Sequence, residues 1–203
     1  KSPAANEYEI KLVVQTKNGC ADSTSKTILI SDIPTAVAGV VKYDSCFGKN
    51  LYRFNNGSYT NIGKIIRYKW LFGDGDTSGK QQAFKSYKDS GTFQVQLIAY
   101  SEGGCFDTSD AIPVTVYPKP RAGISITDSS VCLNGNYFDF KNGTAKDSRA
   151  KTYIWAWGDG SGTTFEDPGM ISYTDTGNYL VSMAATFVQT GCADTVYRMV
   201  RVN

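Results

Sequence analysis

The feature that most constrains this chain is an internal repeat. The hexapeptide Trp-Leu-Phe-Gly-Asp-Gly at residues 70–75 recurs 85 residues later, with two changes, as Trp-Ala-Trp-Gly-Asp-Gly at residues 155–160. Pro34 recurs in the same way as Pro120, at a spacing of 86 residues. A period of this length predicts that the fold consists of similar units rather than of one continuous body.

The repeat predicts two full copies and one partial copy. The full copies lie at residues 34–119 and 120–203. Residues 1–33 match only the last third of a copy, because the alternating residues that follow Tyr8 align with those that follow Phe93. We therefore expect residues 1–33 to be the last two strands of a truncated copy, and the sequence to be a window on a longer repeat array.

Composition narrows the fold class and the partners. The 203 residues carry 21 basic and 19 acidic side chains, a formal net charge of +2 that gives no field to attract nucleic acid. No apolar run is long enough to predict a membrane span in this segment. The 13 Tyr, 10 Phe and 20 Gly favour strands joined by frequent turns. The composition predicts an all-β chain.

Short runs of alternating apolar and polar residues predict the strands of a copy. In the 34–119 copy these runs are Ala36–Val41, Leu51–Asn55, Ile65–Phe72, Phe93–Tyr100 and Ile112–Tyr117, with shorter strands between Thr77 and Lys88. The third run would place Tyr68, Trp70 and Phe72 on one face. Seven short strands with a buried Trp on the third predict a two-sheet sandwich of immunoglobulin-like type.

The motif Trp-x-Phe-Gly-Asp-Gly, followed after a short spacer by Tyr-x3-Gly-Thr-Phe-x-Val, resembles the PKD domain, an immunoglobulin-like module named after polycystic kidney disease. The signature positions are Trp70, Gly73, Asp74, Gly75, Trp155, Gly158, Asp159 and Gly160. The added Gly-Cys pair after the sixth strand resembles PKD repeats of large secreted and surface proteins of Bacteroidota. The resemblance implies tandem β-sandwiches outside the cell that bind or space, rather than a catalyst.

Three aromatic residues are candidates to contact a polysaccharide or a surface protein. Alternate rings on a central strand of a sandwich face its core, and this accounts for Trp70 and Trp155. We expect Trp157, which replaces the Phe of the motif, to be the exposed exception. Tyr59 and Tyr100 are the other two candidates.

The residues that follow the first signature turn match the opening of a calcium loop. Asp74, Asp76 and Ser78 supply oxygen ligands at alternate positions, and a glycine follows at the sixth. However, Lys85 stands where a bidentate Glu would close such a loop. The preferred interpretation is a tight turn in which Asp74 and Asp159 accept backbone N–H groups. Calcium remains the weaker alternative, and no other cofactor is expected.

Catalytic chemistry is poorly supported by the sequence. The chain has no histidine, so a serine or cysteine nucleophile would lack its usual base. There is no Cys-x-x-Cys pair for zinc and no glycine-rich phosphate loop that opens a helix. We predict that this segment is not an enzyme.

The five cysteines predict disulfides in a small secreted fold. Bonds within each copy, Cys46–Cys105 and Cys132–Cys192, are one alternative. The sandwich topology places Cys46 and Cys105 at opposite ends, about 25 Å apart along an eight-residue strand, whereas a disulfide tolerates about 7 Å between Cα atoms. In a head-to-tail array we instead predict a Cys46–Cys192 bond between domains, with Cys20, Cys105 and Cys132 pairing with other copies. Free thiols are the third alternative.

Two functions follow from these features. The first is a non-catalytic spacer of a repetitive cell-surface adhesin or filament, whose partners are neighbouring repeats of the same chain or filament. The second is an accessory module of a secreted hydrolase that binds polysaccharide or protein. A third, weaker possibility is that the edges of the partial copy complete the sheet of a neighbouring subunit.

Overall fold

A computed structural model describes residues 6–203 of the chain, and these form strands without any helix. The chain divides into two compact units. Unit 1 comprises the described residues up to Ser45, together with Lys49–Tyr87 and Gly91–Thr115. Unit 2 comprises Cys46–Gly48, Lys88–Ser90 and Val116–Asn203. No helix of the described residues is long and apolar enough to cross a membrane.

Ten strands lie between residue 6, where the described part of the chain begins, and Pro118. They are β1 (Asn6–Gln15), β2 (Ala21–Ile30), β3 (Ala38–Asp44), β4 (Leu51–Asn56), β5 (Ile65–Leu71), β6 (Thr77–Ser78), β7 (Ala83–Lys85), β8 (Gly91–Ser101), β9 (Phe106–Thr108) and β10 (Ile112–Val116). The strands β1 and β2 form a two-stranded antiparallel sheet. A second sheet has the order β3-β4-β7, and a third has the order β10-β8-β5-β6 with β9 paired to β8.

The core of unit 1 lies between its two larger sheets. Trp70 of β5 and Phe54 of β4 are fully buried, with ring centroids 5.5 Å apart. Leu97 of β8, opposite Trp70 in the ladder, is also buried. Phe72 packs against Phe54 at 5.4 Å, so the predicted inward face of the third strand is confirmed.

Eight strands form unit 2. They are β11 (Ile124–Ile126), β12 (Ser130–Val131), β13 (Phe138–Asn142), β14 (Lys151–Ala156), β15 (Gly162–Thr163), β16 (Gly169–Ile171), β17 (Gly177–Phe187) and β18 (Ala193–Val202). One sheet has the order β11-β13-β16 and the other the order β12-β18-β17-β14-β15. Every pair is antiparallel except β12 with β18, which is parallel.

One aromatic-rich cluster fills unit 2. Phe138 and Phe140 enter it from the smaller sheet, while Trp155, Val181 and Met183 enter it from the larger sheet. Because alternate residues of both inner faces meet in one core, unit 2 is a two-sheet sandwich. The predicted all-β, immunoglobulin-like class is confirmed.

The final strand differs between the two units. The predicted last strand of the 34–119 copy, Ile112–Tyr117, is found as β10, but the structure adds a short strand, β9, directly after the turn at 101–104. Between β9 and β10, Ser109 accepts the Leu97 N–H on its hydroxyl, 3.0 Å away, and donates its own N–H to the Leu97 carbonyl. A side-chain oxygen thus takes a place in the ladder, whereas β18 runs unbroken through ten residues.

Candidate functional site

The first glycine of each Gly-Asp-Gly signature is required by close backbone approach. Gly73 has φ of +81° and Gly158 has φ of +86°, in the left-handed region that glycine favours. A Cβ on Gly73 would lie 2.7 Å from the Gln94 carbonyl oxygen, and one on Gly158 would lie 2.8 Å from the Leu180 nitrogen. The signature therefore lets a turn press directly against the backbone of the longest strand.

The aspartates of the signature hold these turns closed. Asp74 Oδ1 accepts the Asp76 N–H at 3.1 Å, and Asp159 Oδ1 accepts the N–H of Ser161 at 2.8 Å and its hydroxyl at 2.7 Å. The bonds to Ser161 lower the pKa of Asp159. The predicted turn geometry is confirmed at both positions.

Lys85 occupies the space that a cation would take beside the first turn. Its ammonium lies 2.6 Å from Asp74 and also pairs with Asp76. Burial alone would lower the pKa of Lys85, but the hydrogen bonds that its ammonium donates to both carboxylates outweigh burial and raise that pKa. Among residues 6–203 no group of three or more His, Cys, Asp or Glu side chains could hold a metal. Calcium at Asp74, Asp76 and Ser78 therefore remains an untested prediction that the ammonium disfavours.

Trp157 corrects one sequence prediction. It was expected to be exposed, but only 4% of its surface is accessible. Its ring packs 5.3 Å from Phe140 and 5.4 Å from Trp155. The reason is strand alternation, because Trp157 lies two residues after Trp155 and so shares its inward face. Trp157 is a core residue and cannot contact a ligand in the folded state.

Tyr59 and Tyr100 lie in different surroundings. Tyr59 is 54% exposed and lines a shallow cavity of about 430 Å³ together with Lys64 and Tyr68. Tyr100 is partly buried, and the Arg67 guanidinium covers its ring at 3.8 Å. In the described part of the chain, no ring contact joins Tyr59, Tyr100 and Trp157. The sequence candidates therefore do not form one site.

Each unit contains a buried Asn–Tyr pair that the sequence patterns did not predict. Asn50 accepts the Tyr87 N–H at 2.6 Å and donates to the Tyr87 carbonyl at 2.9 Å. Asn136 makes the same two bonds to Tyr173, at 2.7 and 2.9 Å. Burial first, and then the charge of a signature aspartate, raise the pKa of both tyrosines. The sequence contained a signal for this pair, because Asn50 recurs as Asn136 at the 86-residue spacing of the repeat.

Three cysteines follow a glycine in similar turns, in which three residues lie between the opening residue and the cysteine at Cys20 and Cys105 and four at Cys192. In each, the glycine has a positive φ, namely +86° at Gly19, +87° at Gly104 and +70° at Gly191. The residue that opens the turn donates its N–H to the cysteine carbonyl and accepts the glycine N–H, and the openers are Thr16, Ser101 and Phe187. This motif, the Gly–Cys turn, holds Cys20, Cys105 and Cys192 in a common backbone setting.

The predicted Cys46–Cys192 disulfide is present. Its Cα atoms lie 5.4 Å apart, its residues are separated by 146 positions, and both belong to unit 2. In sequence the bond joins the segment 34–119 to the segment 120–203. The alternative Cys46–Cys105 and Cys132–Cys192 bonds are therefore wrong. Cys20 and Cys132 are exposed free thiols, and Cys105 is a partly buried one.

The aspartate two residues after a Gly–Cys turn ties that turn to the start of its segment. Asp107 accepts the Ala36 N–H at 2.8 Å, and Asp194 accepts the Ala122 N–H at 3.1 Å. Asp194 also accepts a bond from Lys119, 2.7 Å away. Burial opposes ionisation of Asp194, but these bonds prevail and lower its pKa.

Both units combine a signature turn, a buried Trp and two sheets that enclose the core. Residues 33–116 match the PKD domain family. This match agrees with the resemblance inferred from the signature in that segment.

The chain is also similar to a curated protein and to solved structures over part of its length. Over 129 residues the chain is 29% identical to Collagenase ColA of Bacillus cereus, a match that covers 63% of this chain and 12% of the collagenase. Among solved structures, the PKD1 domain of Vibrio anguillarum Epp is 22% identical, with 43% of this chain and all of that one covered (TM-score 0.38). The PKD1 domain of the Vibrio cholerae metalloprotease PrtV is 27% identical, with 41% and 98% covered (TM-score 0.36).

Proposed function

We propose that this chain is a non-catalytic extracellular spacer, a segment of a repetitive surface adhesin or filament that carries tension. The observation that carries this proposal is the Cys46–Cys192 bond. It adds a covalent link between the segments 34–119 and 120–203, besides the peptide chain that already joins them.

The bond shortens the covalent path along which the protein can be stretched. A fully extended chain spans at most about 3.5 Å per residue, so all 203 residues would reach about 700 Å. The bond removes the 146 positions between Cys46 and Cys192 from that path, which leaves about 200 Å. A segment with this limit can lose its tertiary structure under load without extending far.

Other features support an extracellular setting. Disulfides form and persist in oxidising compartments, which include the cell exterior and the periplasm. The formal charge of +2 on 203 residues gives the segment no strong attraction for nucleic acid or for an anionic surface. A segment with these properties suits a load-bearing role, through contacts with neighbouring repeats of the same chain or filament, better than a catalytic role.

Force spectroscopy on the full chain, tethered at its two ends, tests the spacer function. The oxidised protein is expected to reach an end-to-end length of about 200 Å at most, and Cys192→Ser about 700 Å, because only the variant releases the enclosed residues. Cys105→Ser is the matched control and is expected to behave as the wild type. Equal extension of the oxidised wild type and Cys192→Ser would contradict the proposal.

The similarity to Collagenase ColA favours a second candidate function, an accessory module that binds fibrous protein or polysaccharide beside a hydrolase. Tyr59 is the exposed ring that could stack on such a ligand, since it lines the shallow cavity with Tyr68. Sedimentation with collagen fibrils or insoluble polysaccharide tests this function. Tyr59→Ala should abolish binding and Tyr137→Ala, which removes a ring that is 63% exposed in unit 2, should not.

A further inference from the structure

Cys132 repeats the position of Cys46 but has no partner of its own. The two lie 86 residues apart, the same spacing that relates Pro34 to Pro120. Cys46 is bonded to Cys192, whereas Cys132 is an exposed free thiol. An exposed thiol at a position that is cross-linked in the other segment indicates an unfilled cross-link site.

The backbone presents the two cysteines in the same way. After Cys46, the Phe47 N–H donates to the Tyr117 carbonyl at 2.8 Å, and Cys46 forms a parallel bridge with Tyr117. After Cys132, the Leu133 N–H donates to the Asn203 carbonyl at 2.9 Å. Each cysteine therefore lies beside the end of the last strand of its segment, held by the same main-chain bond. We call this setting the strand-end half of the cross-link.

The other half of the cross-link is a Gly–Cys turn, as in Gly191–Cys192. Residues 6–203 contain two more such turns, around Cys20 and Cys105. The turn of Cys105 is covered within unit 1, because Ser31 Oγ lies 3.3 Å from Ser101 Oγ and would collide with a Cβ on Gly103. The turn of Cys20 is exposed, so its thiol is available to a second molecule.

We propose that Cys132 is the strand-end half of a second cross-link, and that its partner is the cysteine of a Gly–Cys turn in another unit of this kind. In a solution of this chain alone, Cys20 of a second copy supplies that turn. This proposal rests on the proposed spacer function, because a second cross-link would repeat the Cys46–Cys192 link in further segments. It specifies the partner by its chemistry, namely a free cysteine after a positive-φ glycine at the end of an antiparallel hairpin.

The cross-link forms by thiol–disulfide exchange with a disulfide oxidant such as glutathione disulfide. The Cys132 thiolate attacks the oxidant, forms a mixed disulfide and releases one glutathione thiol. The Cys20 thiolate of the second copy then attacks the Cys132 sulfur and releases the second glutathione. Two cysteine thiols are oxidised, and the oxidant takes up their two electrons and two protons.

A recurring cross-link of this kind would interlock along an array. Cys132 lies between Cys46 and Cys192 in sequence, so a bond from Cys132 to a later turn would close a loop that overlaps the first one. Where the two loops overlap, the shortest covalent path still runs through the residues between Cys132 and Cys192, which both loops enclose, and it bypasses the other enclosed residues. A covalent limit on extension would then apply to the whole array.

Peptide mapping of the full chain, oxidised with glutathione disulfide under native conditions, tests the proposal. Random pairing of exposed thiols makes the mixed Cys20–Cys132 link twice as frequent as either symmetric link. Specific recognition should raise the mixed link about tenfold above that random ratio, which corresponds to about 1.4 kcal/mol. In concentrated urea the ratio should return to random, Cys132→Ser should remove the mixed link, and Cys105→Ser should preserve it.

Two outcomes would overturn this assignment. One is a random ratio of links under native conditions. The other is that peptide mapping finds Cys132 bonded only to glutathione. Neither outcome affects the extension measured for the Cys46–Cys192 bond, so the proposed spacer function is judged separately.

Discussion

The hairpins β1–β2 and β17–β18 share a register but differ in what covers them. In the first, Tyr8 lies opposite Ile28 and Gln15 opposite Ala21. In the second, Tyr179 lies opposite Val200, and the ladder likewise ends at a Gly–Cys turn. Two stretches at opposite ends of the sequence thus form the same local structure.

Burial separates the two hairpins. Leu12 is 61% exposed, whereas Met183, the residue at its place in β17, is inaccessible. The strand β17 pairs with β14 and faces the Trp155 core, while β1 pairs only with β2 among the described residues. Strand pairing is therefore set by the local sequence, but burial of the apolar face requires a second sheet opposite it.

The largest difference is expected when the corresponding apolar side chains are shortened. Met183→Ala should lower the free energy of unfolding of unit 2 by about 2–5 kcal/mol, because it leaves a cavity in the core. Leu12→Ala should change stability by about 0.5 kcal/mol or less, because its side chain is already in water. Urea titration monitored by Trp fluorescence measures both. A large loss for Leu12→Ala would show that β1 is covered in solution.

The second difference lies where the signature turn of unit 2 contacts β17. Gly158 and Gly160 both have positive φ, at +86° and +92°, so an Ala at either position carries about 1–2 kcal/mol of backbone strain. Only Gly158 approaches the Leu180 backbone, whereas a Cβ on Gly160 would meet nothing within 4 Å. We therefore expect Gly158→Ala to cost about 1–3 kcal/mol more than Gly160→Ala in the same denaturation measurement. Equal losses would mean that φ alone requires the first glycine.

The sequence predicted the features that depend on strand alternation and on distance. The inward row of Trp70 and Phe72 follows from a period of two, and the Cys46–Cys192 bond follows from the length of a strand. The prediction that Trp157 is exposed was wrong. It relied on the change from Phe to Trp, whereas the strand period of two residues turns Trp157 inward.

Other features depend on contacts that distant residues make, and these could not be predicted from local patterns. The interruption between β9 and β10 depends on where the Ser109 hydroxyl meets Leu97 of β8. The pairing of Lys85 with Asp74 and Asp76 depends on how β7 lies beside the signature turn. Such contacts are set by the folded arrangement of separate strands, so a linear pattern holds little information about them.

The smallest difference concerns the aspartates that follow the two Gly–Cys turns, Asp194 and Asp22. Asp194 accepts hydrogen bonds from the Lys119 ammonium and from the Ala122 N–H, whereas Asp22 accepts the N–H of its neighbour Ser23. Asp194→Asn should cost about 1 kcal/mol at pH 7, a value reduced by partial exposure of the ion pair. Asp22→Asn, the control, should cost about 0.5 kcal/mol or less.

The pH dependence identifies the charge of Asp194 as the cause. Its pKa is lowered in the folded state, so its contribution is complete above the unfolded pKa of about 3.9 and is lost as pH falls through the folded value. The stability difference between wild type and Asp194→Asn should therefore shrink as denaturation is repeated at successively lower pH. A difference that persists unchanged into acid would assign the cost to packing of the Asn side chain rather than to the lost ion pair.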